Sequence, residues 1–342
     1  MTRILQLGTR YPLIQAPMVG VQDARLALAV SAAGALGSLP AATLDAEKLA
    51  SELDLLHASG LPCNVNFFCH TTPVIDPHVE ARWRECLAPY FEELGLDVNS
   101  LPTGNGRRPF DETAATLVER YRPAVVSFHF GLPAEALLMR VKASGAKILS
   151  TATTVAEAQW LDRHGVDAVI AQGLEAGGHR GHFLSTDVRL QSRMLPLVQA
   201  IVQAVSVPVI AAGGIATADD VRAAMAAGAC AVQVGTAFLL CTEATTGSLH
   251  RARLKDIDAP TTLTNLITGG LARGLFNRLI REKGPVSELA PAFPAAAEAV
   301  SLLRRHAEAR GRDDFTTMWS GTRRDGCREV AATEIVRTLM TS

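Results

Sequence analysis

Apolar residues in this chain gather in short, nearly continuous runs, with few polar residues alternating among them. Eight runs stand out, at 13–18, 35–39, 62–68, 124–128, 146–151, 168–172, 208–212 and 230–234. A strand covered on both faces reads as a continuous run, whereas a strand with one wet face alternates. Most of the runs lead into helical spacing. Thr154-Val155-Ala156-Glu157 has the form of a capping box, each side chain satisfying a backbone N–H at the helix start, and Gly165 closes that helix. Thr217 opens the helix between the seventh and eighth strands, with Asp219 and Asp220 at the positive end of its dipole, and Gly228 closes it. This alternation predicts an α/β protein whose parallel strands close into a (β/α)8 TIM barrel.

Two stretches break the pattern. Residues 71–110 are too long for a plain loop and end in the Pro/Gly-rich segment 101–109, so they are expected to form a helical insertion with a flexible exit. After about Ala244 the chain turns helical, with no further strand expected. The expected division is a barrel over 1–70 and 111–244, a helical insertion over 71–110 and a substrate-binding segment over 245–342. Insertion and C-terminal segment together form a helical cap over the barrel mouth.

Charge narrows the partners. Across 342 residues, 33 Lys and Arg balance 34 Asp and Glu, so no basic excess favours nucleic acid or an anionic membrane. None of the six cysteines pairs at C-x-x-C spacing, which suits a reducing compartment. The N-terminus lacks the layout of a signal peptide, and no apolar stretch reaches the roughly 18 residues of a membrane span. A cytoplasmic protein acting on small molecules is the expectation, and a homodimer is compatible with it.

Candidate chemistry lies at the strand ends. Gly213 and Gly214 follow the seventh strand, and Gly235 and Thr236 follow the eighth, where TIM barrels often hold a phosphate on backbone N–H groups. Tight turns without a ligand are the alternative. Gln172 ends the sixth strand and leads to Gly177-Gly178-His179-Arg180-Gly181, where a histidine at the mouth can act as acid, base or hydrogen-bond donor. Arg180 is adjacent and suited to local pairing. Asn66 ends the third strand with an amide directed at the mouth, and His70 and Phe67 fit either core or rim. His129, within Ser127-Phe128-His129-Phe130-Gly131, fits either a satisfied core histidine or a pocket residue. On the first strand, Pro17 has no N–H for the ladder, and the small residues of Gln15-Ala16-Pro17-Met18 leave room for a ring system.

These motifs, in this order, resemble the nitronate monooxygenases, formerly called 2-nitropropane dioxygenases; Thr317-Met318-Trp319-Ser320-Gly321 resembles that family's Trp-containing C-terminal segment. The resemblance implies FMN, contacted by Gln172, Gly177, Gly178, Gly213, Gly214, Gln233, Gly235 and Thr236, with Asn66 and the backbone of Ala16, Pro17 and Met18 near the ring. It implies His179 as the catalytic residue and His129 as a helper lining the substrate pocket. The implied reaction is oxidation of an alkyl nitronate, such as propionate 3-nitronate, by O2 through an anionic flavosemiquinone, giving a carbonyl compound and nitrite. The likeness is weakest in the cap: some relatives carry tyrosines and a lysine there, whereas 293–303 offers small or apolar residues. Competing readings are an NAD(P)H-dependent FMN quinone or enoyl-thioester reductase, a flavin-free barrel binding a phosphorylated metabolite, a metal enzyme using His179 and His182, and a non-catalytic flavin binder.

Overall fold

All eight apolar runs form parallel strands in the computed structural model, which describes residues 5–74, 76–98 and 107–341. The strands are β1 (Leu13–Gln15), β2 (Gly37–Pro40), β3 (Cys63–Phe68), β4 (Val125–His129), β5 (Lys147–Ala152), β6 (Ala168–Gln172), β7 (Gly178–His179), β8 (Val209–Ala212), β9 (Ala231–Val234), β10 (Thr261–Thr264) and β11 (Ala272–Leu275). Eight of them follow the order β1-β9-β8-β6-β5-β4-β3-β2. The ring closes between β1 and the lead-in to β2, where Gln15 N–H donates to the Leu36 carbonyl and Leu36 N–H to that of Leu13, at 2.9 and 2.8 Å. Helices cover the outside, and their apolar faces meet the strands in one continuous core that includes Leu26, Val30, Val126, Phe128, Ile201 and Val232. Both faces of each strand are thus covered, which is why the runs read as continuous.

Several expectations need correction. β1 stops at Gln15, short of the full run 13–18; Ala16 N–H still donates to the Val234 carbonyl at 2.8 Å, and the ladder ends at Pro17, as its missing N–H requires. Thr154 does cap its helix, accepting from Glu157 N–H, but the Glu157 carboxylate turns away from a reciprocal box. It accepts instead from Thr153 (N–H and hydroxyl), Phe183 and Leu184, tying the loop after His179 to the barrel. The complete capping box is at Thr217 and Asp220.

The C-terminal region does contain strands. β10 and β11 form an antiparallel pair, and β11 pairs with β7. Thr-Thr-Leu-Thr and Ala-Arg-Gly-Leu are too short and mixed to give a period-2 signal. The last helix, Ala332–Leu339, belongs with the barrel rather than the cap: Ala332, Ile335, Val336 and Leu339 recur at helical spacing and enter the barrel core.

A second core builds the cap. Helix Pro77–Leu94 of the insertion places Trp83, Leu87, Tyr90, Phe91 and Leu94 against Ala299, Val300 and Leu303 of helix Ala297–Glu308. Truncating a fully buried ring such as Phe91 in such a core costs about 3–5 kcal/mol. Most of the expected flexible exit, through residue 106, lies outside the described residues.

Candidate active site

Strand ends and cap enclose a cavity of about 610 Å³. The residues that the resemblance assigns to cofactor and catalysis line it: Ala16, Pro17, Met18, Asn66, His129, Gln172, Gly177, Gly178, His179, Gly213, Gly214, Gln233, Gly235 and Thr236, whereas Phe67, His70, Arg180 and His182 stand behind the lining. Their placement follows from the barrel, since residues at the C-terminal ends of parallel strands converge on one face.

His179 sits on β7, whose pairing sets Ala272 opposite His179 and Gly178 opposite Arg273. Its Nε2 lies 2.8 Å from the Thr268 hydroxyl oxygen. That hydroxyl has its other contact with the Gly270 carbonyl at 3.5 Å, a group that only accepts. The arrangement that uses both contacts has Nε2–H donating to Thr268 and leaves Nδ1 as the acceptor. Around the imidazole stand Phe293, Trp319 and Phe68, with ring centroids at 5.1, 5.5 and 6.2 Å. Burial, followed by the positive charge of Arg107, holds His179 well below the usual histidine range, so the ring is neutral at pH 7.

His129 has both ring nitrogens committed. Nε2 is 3.1 Å from the His179 carbonyl oxygen and Nδ1 is 3.1 Å from the Thr151 hydroxyl. Since the carbonyl only accepts, Nε2–H donates to it, and burial pushes His129 down to about 4. No ring nitrogen is left for a substrate, so His129 holds the His179 backbone. Gln172 does the same from β6: its amide N–H donates to the His179 carbonyl at 2.9 Å, and its Oε1 accepts from Gly181 N–H at 2.9 Å. Arg180 is fully buried and donates to Gln191 and to the carbonyls of Gly173 and Gln172, which is the local pairing expected of it. Asn66 donates to the Ser127 carbonyl and hydroxyl. Among the described residues, no three or more His, Cys, Asp or Glu gather as metal ligands.

The opposite wall can be tested for fit to a flavin mononucleotide. Gly213 and Gly214 have φ of +113° and +71°, a left-handed turn that a side chain would strain. At Gly177 a Cβ would stand 2.5 Å from the Gly321 nitrogen, so the two segments meet there only because the side chain is missing. Thr236 Oγ1 accepts from Gly321 N–H at 2.9 Å, and its own hydrogen is left to donate. Gln233 Oε1 is buried in the lining with no partner among the described residues, a place for a ring N–H. Glycine turns on strand ends, a hydroxyl donor and an unsatisfied amide oxygen fit a phosphate-bearing planar ring.

Sequence reasoning missed Thr268, Arg107, Arg304 and the ring of Phe293. Gly269-Gly270 was the available signal for Thr268, because a Cβ on Gly269 would collide with the Pro291 carbonyl.

Fold and site together define a (β/α)8-barrel enzyme with a cap-covered small-molecule pocket. The chain belongs to the nitronate monooxygenase family, flavin-dependent oxidoreductases: that family's sequence model matches residues 2–342. The nitronate monooxygenase of Pseudomonas aeruginosa is 40% identical over 98% of this chain and 96% of its own length. A crystal structure of the nitroalkane oxidase from Streptomyces ansochromogenes is 36% identical, with TM-score 0.88 over 97% of this chain and 95% of that one. FabK from Thermotoga maritima, 24% identical with TM-score 0.72 over 98% of this chain and 93% of that one, shares the fold. No described helix is long and apolar enough to cross a membrane.

Proposed function

We propose that this protein binds FMN and oxidises alkyl nitronates with O2, giving a carbonyl compound and nitrite. Bound FMN supplies the electron-accepting ring and passes electrons on to oxygen. The observation that carries the reading is a neutral histidine, His179, fixed by Thr268 in an aromatic enclosure beside the glycine cradle.

Gly213, Gly214, Gly235 and Thr236 would hold the phosphate, with Gln233 and Gly177 beside the ring and the backbone of 16–18 on its other side. A nitronate is already an anion and needs no strong base. His179 is therefore assigned to orient the nitro group, and its free ring nitrogen can accept the α-proton if a neutral nitroalkane enters. Gln172 and His129, both bonded to the His179 carbonyl, act as positioning residues. Phe68, Phe293 and Trp319 exclude water from the reacting carbon. The insertion and the segment 245–342, apart from its last helix, are assigned to substrate binding.

Mixing FMN-loaded protein with propionate 3-nitronate without oxygen should change the flavin absorption at once, and admitting O2 should restore it with release of nitrite. An unchanged spectrum, followed by bleaching on addition of NADH or NADPH, would replace this reading with the reductase. Changing His179 to Ala should leave FMN bound while lowering turnover about 100- to 1,000-fold; near-normal oxygen consumption would remove His179 from the mechanism.

A further inference from the structure

The cap end of the cavity carries positive charge that the proposed reaction leaves unused. Arg107 enters from the end of the insertion, and Arg304 and Arg305 enter from helix Ala297–Glu308. The Nε–H groups of Arg107 and Arg304 are buried without a hydrogen-bond partner among the described residues. Burial, and then the like charge of Arg304, pushes Arg107 down to about 10. Glu298 lines the same wall, which leaves three arginines beside one carboxylate. Arg304 reaches the Thr317 hydroxyl through Nη1 at 3.4 Å, but two guanidinium groups in a partly dry wall repel each other and their Nε–H groups lack acceptors, and an incoming anion relieves both costs.

Position and shape indicate what that anion is. Arg107 lies over the Phe293 ring at 5.8 Å, and that ring is 5.1 Å from His179. One aromatic ring therefore separates the arginine from the reacting end, a span for a short carbon chain. A guanidinium presents a planar fork of donors that matches a carboxylate. The nearby histidines cannot serve as cations, because burial holds His179, His129 and His70 below the usual range.

We propose that Arg107 and Arg304 form a carboxylate subsite that selects short nitronates bearing a carboxylate over those with an uncharged tail. This rests on the nitronate-oxidising function proposed above, and the experiment separates the two.

FMN-loaded wild type, Arg107→Met, Arg304→Met and Arg107→Lys are compared on propionate 3-nitronate and on 3-methylbutane 1-nitronate, whose isopropyl group has the shape of the carboxylate. The wild type should favour the carboxylate substrate in kcat/KM by at least about tenfold. Each Met variant should reduce that ratio about tenfold or more, chiefly through KM, and Arg107→Lys should retain most of it. Arg304 lies at a partly exposed helix position, so its Met variant tests the idea even if Arg107→Met does not fold. No preference in the wild type, or the same ratio in both Met variants, overturns the subsite. Succinate binding to the same proteins, followed by calorimetry, needs no turnover. Succinate that binds the wild type and is lost in Arg304→Met, with neither nitronate consumed, leaves the subsite standing and ends the nitronate reading. Succinate that binds all variants alike, or none, rejects the subsite.

Discussion

At the barrel end of the cavity the ligand-facing groups are glycine turns, amides and a hydroxyl on β6, β8 and β9; at the cap end they are long cationic and aromatic side chains from segments far apart in the chain. The barrel end is rigid because the hydrogen-bond ladder fixes it: β8 lies between β6 and β9, and Ala212 is in register with both Gln172 and Gln233. The cap end depends on packing between helices Pro77–Leu94 and Ala297–Glu308, which share no ladder. Backbone donors recognise a group common to many ligands, while side chains on packed helices can change without disturbing the sheet. The difference suits a constant cofactor at one end and a chosen substrate at the other.

The sharpest way to break the barrel end is to fill its closest approach. Gly177→Leu places a side chain against the backbone of Ser320 and Gly321, with a Cβ 2.5 Å from the Gly321 nitrogen. Neither partner is a flexible side chain that can swing aside, so the 177–178 turn and the C-terminal loop must separate. FMN affinity should fall by about 100-fold or more, comparable to a severe overpacking cost. Fluorescence titration with FMN measures it, and an unchanged Kd would place the cofactor elsewhere.

The two ends also differed in how far the sequence disclosed them. Strands and glycine turns are local features, each read within a window of six or so residues, so Gly213, Gly214, Gly235 and Thr236 could be placed by counting strands. His179 was placed the same way, through Gly177 and Gly178. What holds His179 could not be read, because β7 has two residues and β11 four, and their pairing joins positions about 90 apart. Thr268 and Arg304 arrive by tertiary packing alone. Arg304 is the clearest case: the stretch 293–303 read as small or apolar, and the cation stands one residue beyond it, turned into the cavity by helix Ala297–Glu308. Glu157 was misread for a related reason, since its place in a capping box ignored the four donors from Thr153, Phe183 and Leu184 that compete for it.

Thr268 joins the two ends, and Thr268→Val tests that link. The exchange keeps the shape and removes the one hydroxyl that, among the described residues, hydrogen-bonds the His179 ring. Turnover should drop about tenfold, the size expected for one buried hydrogen bond with its unsatisfied partner. KM and FMN affinity should move less than about twofold, since neither the arginines nor the glycine turns are touched. A change in KM alone, with kcat intact, would make Thr268 part of the substrate wall instead of a support for His179. Thr268→Ser, which keeps the hydroxyl, should recover most of kcat.

The smallest expected effect concerns acid stability, and it separates the histidine layer from the ends it divides. His129 is pushed down to about 4 and His179 and His70 are also lowered, chiefly by burial, whereas an unfolded chain protonates its histidines near 6.5. Between those values the unfolded chain binds more protons, so stability rises with pH and is lost as pH falls from about 6.5 toward 4. His129 alone accounts for at most about 3 kcal/mol of that loss, less to the extent that its cavity-facing side is wet. The melting temperature should therefore decline across this window in the wild type, and less steeply in His129→Asn, which removes one of the titrating rings. Equal slopes in the two proteins would mean that His129 is already charged in the folded chain, and its Nε2–H contact with the His179 carbonyl would then no longer define a neutral ring.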